Sequence, residues 1–316
     1  MFARGIVRLA KYVIKRDPYR AGQSMQASII PAENVMKLTN RDLSVYIAET
    51  ATVESMRALG LPNLISHIKQ RQPLMTPKDL FRITTGLARM DVIHNTGLME
   101  TLIPACSDKK RLFLVHELSG IAVDVSACTR RMSDTLKPEN RQNTVSFISL
   151  LANEFKVKLE AASPTDLAHM AVALADSGIS DPELMTSIAS SAEIQIAMFK
   201  GPELADLILA FATLGLKSES FLARGIPQLI TRMPFLFDQQ LLQLSFSICR
   251  LLADVSDSKH KLIDRYVQEL ESRSFSEPNL GWSDFVVSAK QLNLLERLPK
   301  TTSKIPRDQS QASFIR

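Results

Sequence analysis

Hydrophobic residues recur along this chain at the spacing of amphipathic helices, and the pattern itself recurs every 37 residues. Leu167 of one copy corresponds to Leu204 of the next and Leu241 of a third, each 37 residues further on. Gly178 and Gly215 keep the same spacing. Within a copy the apolar positions fall at i, i+3, i+4 and i+7, which is typical of a helix buried on one face. Self-similarity at a fixed period is the signature of a repeat protein.

Each copy predicts a helix, a turn and a second helix. We expect the first helix to begin after a capping residue such as Ser163 or Asp238, with proline in its first turn. We expect it to end at Gly178 or Gly215, because glycine adopts the left-handed conformation of a helix C-cap. The small residue Ala210 on the first helix predicts close packing against a neighbouring helix.

The register extends to the N-terminal half, where Leu43 and Leu80 are also 37 residues apart. Between residues 109 and 160 it slips, and apolar stripes that include Leu112 and Val145 predict two shortened units. One helix pair cannot bury both of its faces, whereas stacked pairs can. The sequence therefore predicts an all-α fold, an α-solenoid of about six to seven helix-turn-helix repeats over residues 25–298. Residues 299–316 are polar and aperiodic, and predict a flexible tail.

The net charge of +5 is concentrated at the N-terminus. Residues 1–22 hold six basic residues and one acid among apolar residues, and the rest of the chain has 32 of each sign. This composition is typical of a mitochondrial transit peptide, so residues 1–24 predict a targeting arm and a location in the mitochondrial matrix. The alternative is an ordinary basic helix or a helix on a membrane surface. No run of about 18 apolar residues occurs, so we expect no membrane span.

No nucleotide-binding, metalloprotease or hydrolase motif occurs in the sequence. The five histidines are scattered without a pair at metal-ligand spacing, and the three cysteines form no metal-binding pattern. We therefore expect no catalytic activity, no metal and no cofactor, and we expect the protein to act by binding.

Basic clusters in the first half are the candidate RNA-binding residues. Residues 23–160 carry 17 basic against 14 acidic residues, whereas residues 161–316 carry 15 against 18. This modest gradient would direct phosphate toward one half of the body. Solvated outer faces of helices are the alternative explanation for any single cluster. The candidates are Lys69, Arg71, Arg82, Arg89, Lys109, Lys110, Arg111, Arg130, Arg131, Lys137 and Arg141.

The leucine-, alanine- and glycine-rich first helices of residues 80–90, 167–178 and 204–215 carry a family resemblance. They resemble helical repeats of the octotricopeptide and heptatricopeptide type and of the RAP-domain and FAST-kinase-like proteins. They are also similar to the helical-repeat subunit of the kinetoplastid RNA-editing substrate-binding complex. The resemblance implies an organellar protein that acts in RNA processing, editing or stability, or in mitoribosome function.

Three functions remain open at this point. The first is a non-catalytic mitochondrial helical-repeat protein that binds RNA within a ribonucleoprotein assembly. The second is a structural subunit or assembly factor of a large mitochondrial complex that contacts protein only. The third is a cytosolic adaptor of the armadillo or HEAT type, in which the basic N-terminus is an ordinary helix.

The location can be tested on the N-terminal arm alone. A fusion of residues 1–22 to a fluorescent reporter is expected to enter mitochondria, because this segment holds the whole charge excess of the chain. Replacing its six basic residues by glutamine is the control and should leave the reporter in the cytosol. A cytosolic signal from the unmodified fusion would favour the adaptor.

Overall fold

A computed structural model describes residues 32–35, 37–49, 61–91, 93, 98–251, 256–273 and 282–291. All regular secondary structure in these residues is helical, as the apolar periodicity predicts. The chain divides into two compact units, one ending at Lys158 and the other beginning at Leu159. The predicted arm at residues 1–24 and the predicted tail at residues 299–316 lie outside the described residues.

In the first unit, helix pairs are joined by short 3₁₀ turns at Gln72–Leu74 and Lys110–Leu112. The described helices are α1 (Ala32–Val35), α2 (Asn40–Glu49), α3 (Leu61–Arg71), α4 (Pro77–Arg89), α5 (Leu98–Lys109), α6 (Val115–Arg131) and α7 (Pro138–Val157). Neighbouring helices α2, α4 and α6 pack side by side, and α5 and α7 pack beside each other.

The second unit repeats this organisation, with 3₁₀ turns at Leu159–Ala161, Ile196–Met198 and Met233–Phe235. The described helices are α8 (Pro164–Asp176), α9 (Pro182–Ile194), α10 (Gly201–Leu214), α11 (Glu219–Arg232), α12 (Asp238–Leu251), α13 (Ser256–Ser272) and α14 (Trp282–Gln291). Helices α8, α10, α12 and α14 form one layer, and α9, α11 and α13 form a second. We call α2, α4, α6, α8, α10, α12 and α14 first helices and the others, from α3 on, second helices.

First helices begin with a recurring cap at their third residue. The side chains of Asp79 and Asp166 accept the backbone N–H of Thr76 and Ser163, at 3.1 and 3.0 Å. The predicted cap at Ser163 is confirmed, since its side chain accepts the N–H of Asp166. The prediction for Asp238 is wrong. Asp238 is the first residue of α12, and the cap is formed by Gln240, which accepts the N–H of Phe237.

Residues at the third position of a first helix also bond to the preceding first helix of the same unit. Ser44 of α2 donates to Asp79 of α4 at 2.9 Å, and Thr165 of α8 donates to Glu203 of α10 at 2.6 Å. The bond between Thr165 and Glu203 joins the starts of α8 and α10, so these two helices run parallel. The cap therefore satisfies an N–H at the helix start and helps to hold adjacent helix pairs together within a unit.

The predicted glycine ends of the first helices are confirmed. Gly178 and Gly215 have φ angles of 66° and 68°, in the left-handed region. The residue after each one donates its N–H five positions back, from Ile179 to Leu174 and from Leu216 to Phe211. This is the Schellman arrangement, which satisfies carbonyls that the helix end would leave unpaired.

The core is built from the predicted positions of the repeat. Leu43, Leu80, Leu167, Leu204 and Leu241 are all completely buried. Ala210 is 1% exposed on α10, a helix that packs against both α8 and α12. The small-residue position predicted for close helix packing therefore lies inside the core.

The region between residues 109 and 160 corrects the sequence prediction. Its two apolar stripes form one long helix pair, α6 and α7, and not two shortened units. Leu112 lies in a 3₁₀ turn and is 67% exposed, because Glu117 accepts the N–H of Leu114 and sets the start of α6 after it. Leu118, which is 38 residues after Leu80, lies on α6 and is fully buried.

Gly86 allows α4 to approach α2 closely. A methyl group on Gly86 would lie 2.7 Å from the carbonyl oxygen of Ile47 and 3.0 Å from the Cα of Ala48. Backbone atoms cannot move aside as the end of a side chain can, so α2 and α4 would have to separate. Gly225 of α11 is also buried, but its added methyl group would meet side-chain atoms at ordinary distances of 3.7 to 3.8 Å.

Alanine at these two helical glycines is expected to have opposite effects. Gly86→Ala should lower the free energy of unfolding by about 1–3 kcal/mol, because overpacking outweighs the helix propensity of alanine. Gly225→Ala should raise it by up to about 1 kcal/mol through helix propensity alone. Urea denaturation of both variants measures this difference. A stabilised Gly86→Ala protein would contradict the close approach.

Candidate interaction surface

One edge of each unit collects the starts of the first helices and the ends of the second helices. We call the 3₁₀ turns that join a second helix to the next first helix connectors, and the edge that they form the connector edge. At such an edge backbone carbonyls at the ends of second helices lack helical partners and carry partial negative charge. Side-chain donors at this edge are therefore expected to bond to carbonyls.

In the first unit a cation at the end of each second helix bonds to backbone carbonyls just before the first helix of the same pair. Arg71 Nη1 donates to the oxygen of Leu38 at 2.6 Å. Lys109 Nζ donates to Pro73, at 3.1 Å, and to Met75. Lys158 Nζ donates to Arg111 and Phe113, both at 2.8 Å. These bonds join the end of one second helix to the start of its first helix, so the two helices of a pair are antiparallel.

The second unit has the same bonds at the equivalent positions. Gln195 donates to the oxygen of Ala162 at 3.0 Å, and Arg232 donates to Ala197 at 2.9 Å. Arg273 donates to the carbonyls of Met233, Pro234 and Leu236 at 2.7 to 3.3 Å. It also forms ion pairs with Asp238 and Glu269. We call these six side chains clasp residues: Arg71, Lys109, Lys158, Gln195, Arg232 and Arg273.

At least five of the eleven predicted RNA-binding residues form hydrogen bonds or ion pairs within the first unit. Arg71 and Lys109 are clasp residues. Arg131 donates to the carboxylate of Asp91 at 2.8 Å and to the oxygen of Ala88 at 3.2 Å. The remaining two are Arg89, which pairs with Asp124 at 2.9 Å, and Arg141, which donates to the oxygen of Ser133 at 2.9 Å. These five cations are therefore used in bonds that stabilise the first unit.

The eleven residues do not form one patch. Because the helices of a pair are antiparallel, residues at the ends of second helices lie on the connector edge and residues at the ends of first helices lie on the opposite edge. Arg82 is in the middle of α4. The connector edge holds Lys69, Arg71, Lys109, Lys110 and Arg111, and the opposite edge holds Arg89, Arg130, Arg131, Lys137 and Arg141.

Large apolar side chains are exposed along the connector edge. Among the described residues nine large apolar side chains are exposed, and eight of them lie at connectors or at the adjoining helix ends. Single exposed apolar residues are normal, but this concentration on one edge is typical of an interaction surface. The first unit exposes Leu74, Leu112, Leu114 and Val157, and the second exposes Ile194, Met198, Phe235 and Phe237.

Exposed apolar residues occupy the same position in successive connectors. Leu74 and Leu112 are the last residues of successive connectors, and Met198 and Phe235 occupy the same position in the second unit. Sequence reasoning missed them because they fall outside the helical stripes. The available signal was a large apolar residue 38 residues after Leu74, and another 37 residues after Met198, each just before a helix start.

The buried thiols and the described cavities offer little reactive chemistry. Burial raises the pKa of the Cys106 and Cys128 thiols to about 12, so both stay protonated at neutral pH. Burial, and then the charge of Arg71, lower the pKa of His67, whose ring nitrogen lies 2.9 Å from the Arg71 guanidinium. A cavity of about 10 Å³ beside Ser247 has room for about one water molecule.

No cluster of histidine, cysteine, aspartate and glutamate suited to a metal ion occurs among the described residues. The described helices also include none that is long and apolar enough to span a bilayer.

No protein-family model matches this chain, and no curated protein is significantly similar to it.

Lys109 and Lys110 are adjacent in sequence but differ in their contacts. Lys109→Met should lower the free energy of unfolding by about 2 kcal/mol, because two carbonyls lose a charged donor. Lys110 makes no side-chain hydrogen bond to a described residue, so Lys110→Met should change stability by less than about 0.5 kcal/mol. Urea denaturation midpoints of the two variants test this. Equal effects would show that the clasp contributes nothing.

Proposed function

We propose that this protein is a non-catalytic helical-repeat subunit of a large mitochondrial assembly and that it binds other proteins along its connector edges. The carrying observation is the row of exposed apolar side chains, which recurs at the last residue of connectors in both units. Burial of these exposed leucine and phenylalanine side chains against a partner protein would stabilise the complex.

The helix pairs are proposed to be repeats of one α-solenoid unit with a period near 37 residues. The third residues of successive first helices, Asp42, Asp79 and Glu117, follow one another at intervals of 37 and 38 residues, and Asp166, Glu203 and Gln240 follow at 37. The unit formed by α6 and α7 is longer, because these helices have 17 and 20 residues. In a solenoid each unit needs neighbours to bury its faces, which suits a scaffold with a long exposed edge.

The mitochondrial location is part of the proposal and comes from residues 1–22, whose six basic residues and single acid are typical of a transit peptide.

RNA binding within a ribonucleoprotein assembly is the second candidate function. Lys69 and Arg111 are exposed on the connector edge of the first unit and make no side-chain bond to a described residue. The resemblance of the repeats to organellar RNA-binding families supports the same candidate. Clasp residue Lys109 is better kept unchanged in tests of this function, because its loss is expected to affect the fold.

Purification of the tagged full-length chain from mitochondria, with and without ribonuclease, separates the two candidates. Protein partners that remain bound after ribonuclease treatment are the expected result. A mitochondrially targeted tag without the chain is the control for adventitious partners. Loss of all partners on ribonuclease treatment would favour the RNA-binding candidate, and the absence of any partner before treatment would overturn both.

A further inference from the structure

We infer that the connector edge of the first unit binds an acidic amphipathic helix of a partner protein, with a large apolar residue at every seventh position. This inference rests on the proposed function, because it names the chemistry of the partner that the edge would hold. The second unit exposes an apolar row of the same kind, but with fewer exposed cations, so the argument concerns the first unit.

The apolar row of the first unit is continuous along the edge. Leu74, Leu112, Leu114 and Val157 are 79, 67, 60 and 80% exposed. Lys109 bonds to the carbonyls on both sides of Leu74, which places the second connector beside the first. Lys158 bonds in the same way to both sides of Leu112, which places the end of α7 beside the second connector. The clasps therefore hold these apolar side chains side by side.

The charge around this row is predominantly positive. Lys69, Lys78 and Arg111 are exposed and Lys110 is half-exposed, while Asp108 is an exposed acid at the end of α5. The carboxylates of Asp79 and Glu117 at the same edge are 5 and 4% exposed and are used in helix caps. A partner with carboxylates beside its apolar residues would complement the charge, and such complementarity also favours association rates.

The spacing of the connectors selects a helix over an extended strand. Adjacent packed helices lie about 8–10 Å apart, so successive connectors present their leucines at about that interval. Seven residues of an α-helix rise about 10.5 Å and return to the same face. Three residues of a strand cover about 10 Å, but residues i and i+3 point to opposite faces. A helix with apolar residues at i and i+7 therefore meets both connectors from one side.

The same residues fit a protein helix better than RNA. Single-stranded RNA is held by aromatic rings on which bases stack, and the large side chains exposed on this edge are aliphatic. Phe113, the aromatic residue that follows the second connector, is 1% exposed. Aliphatic side chains beside exposed cations match the apolar face and acidic flanks of an amphipathic helix.

Direct binding of synthetic peptides tests the inference on the full-length protein. The probe is a fluorescein-labelled helical peptide of three heptads, with leucine at every seventh position and glutamate and alanine elsewhere. One comparison peptide has the same composition with the leucines on different faces, and another has lysine in place of glutamate. We expect the probe to bind at least about tenfold more tightly than either comparison peptide by fluorescence anisotropy.

Variants of the edge separate its apolar and charged contributions. Leu74→Ser with Leu112→Ser should weaken probe binding at least about tenfold, whereas Val287→Ser, at an exposed apolar residue within α14, should not. Lys110→Glu with Arg111→Glu should weaken binding of the acidic probe and strengthen binding of the lysine peptide. Lys137→Glu on the opposite edge is the charge control. All substituted residues are exposed or half-exposed and outside the core, and circular dichroism checks that the variants remain folded.

The possible outcomes are distinct. No preference of the intact protein for the acidic probe, or binding that the edge variants leave unchanged, overturns the inference. Tighter binding of a single-stranded RNA, or of vesicles of phosphatidylcholine and cardiolipin, that is lost in the Lys110→Glu, Arg111→Glu variant would assign the edge to that ligand instead. If the peptides fail while ribonuclease-resistant protein partners persist in the purification, the partner chemistry is wrong and the proposed function stands.

Discussion

The constraint that shapes this protein is the supply of hydrogen-bond donors to backbone carbonyls at the ends of the second helices. Each helix pair brings carbonyls of one connector to an edge where the helix no longer provides N–H partners. The clasp residue of the next pair fills this need, as Lys158 does for Arg111 and Phe113. One side chain at the end of a second helix thus bonds to the connector that links its pair to the preceding pair. Packing of the first helices then follows with their starts aligned.

The two ends of the helix pairs are held in chemically different ways. At the start of first helices, acceptors such as Asp79 and Glu203 bond both to their own helix and to the preceding one. At the end of second helices, donors such as Lys109 reach backbone oxygens. Acceptors and donors therefore lie along one edge of each unit, where the charges of Asp79, Glu203 and Lys109 are used in bonds within the fold and Lys69 and Arg111 remain exposed.

The sequence predicted much of the fold because the core is periodic. Leu167, Leu204 and Leu241 mark the first helices, and the glycines that end two of them follow at the same interval. The start of α6 was missed because Leu112 continues the helical spacing, while a single side-chain bond from Glu117 decides where the helix begins. The candidate surface was harder to predict. The sequence does not distinguish a lysine that is exposed from one that bonds to backbone carbonyls. Lys109 and Lys110 therefore differ only in the structure, where Lys109 contacts the carbonyls of Pro73 and Met75.

The clasps leave the side chains of the connectors uncommitted. Lys109, Lys158 and Arg232 recognise main-chain oxygens, which every amino acid carries, so the residues at Leu74, Leu112 and Met198 are free to vary without loss of these bonds. Substitutions can therefore change the exposed side chains of the connector edge without breaking the bonds of the clasp residues. Each connector is an independently adjustable position, and copies of this unit can diverge toward different partners at little cost to folding.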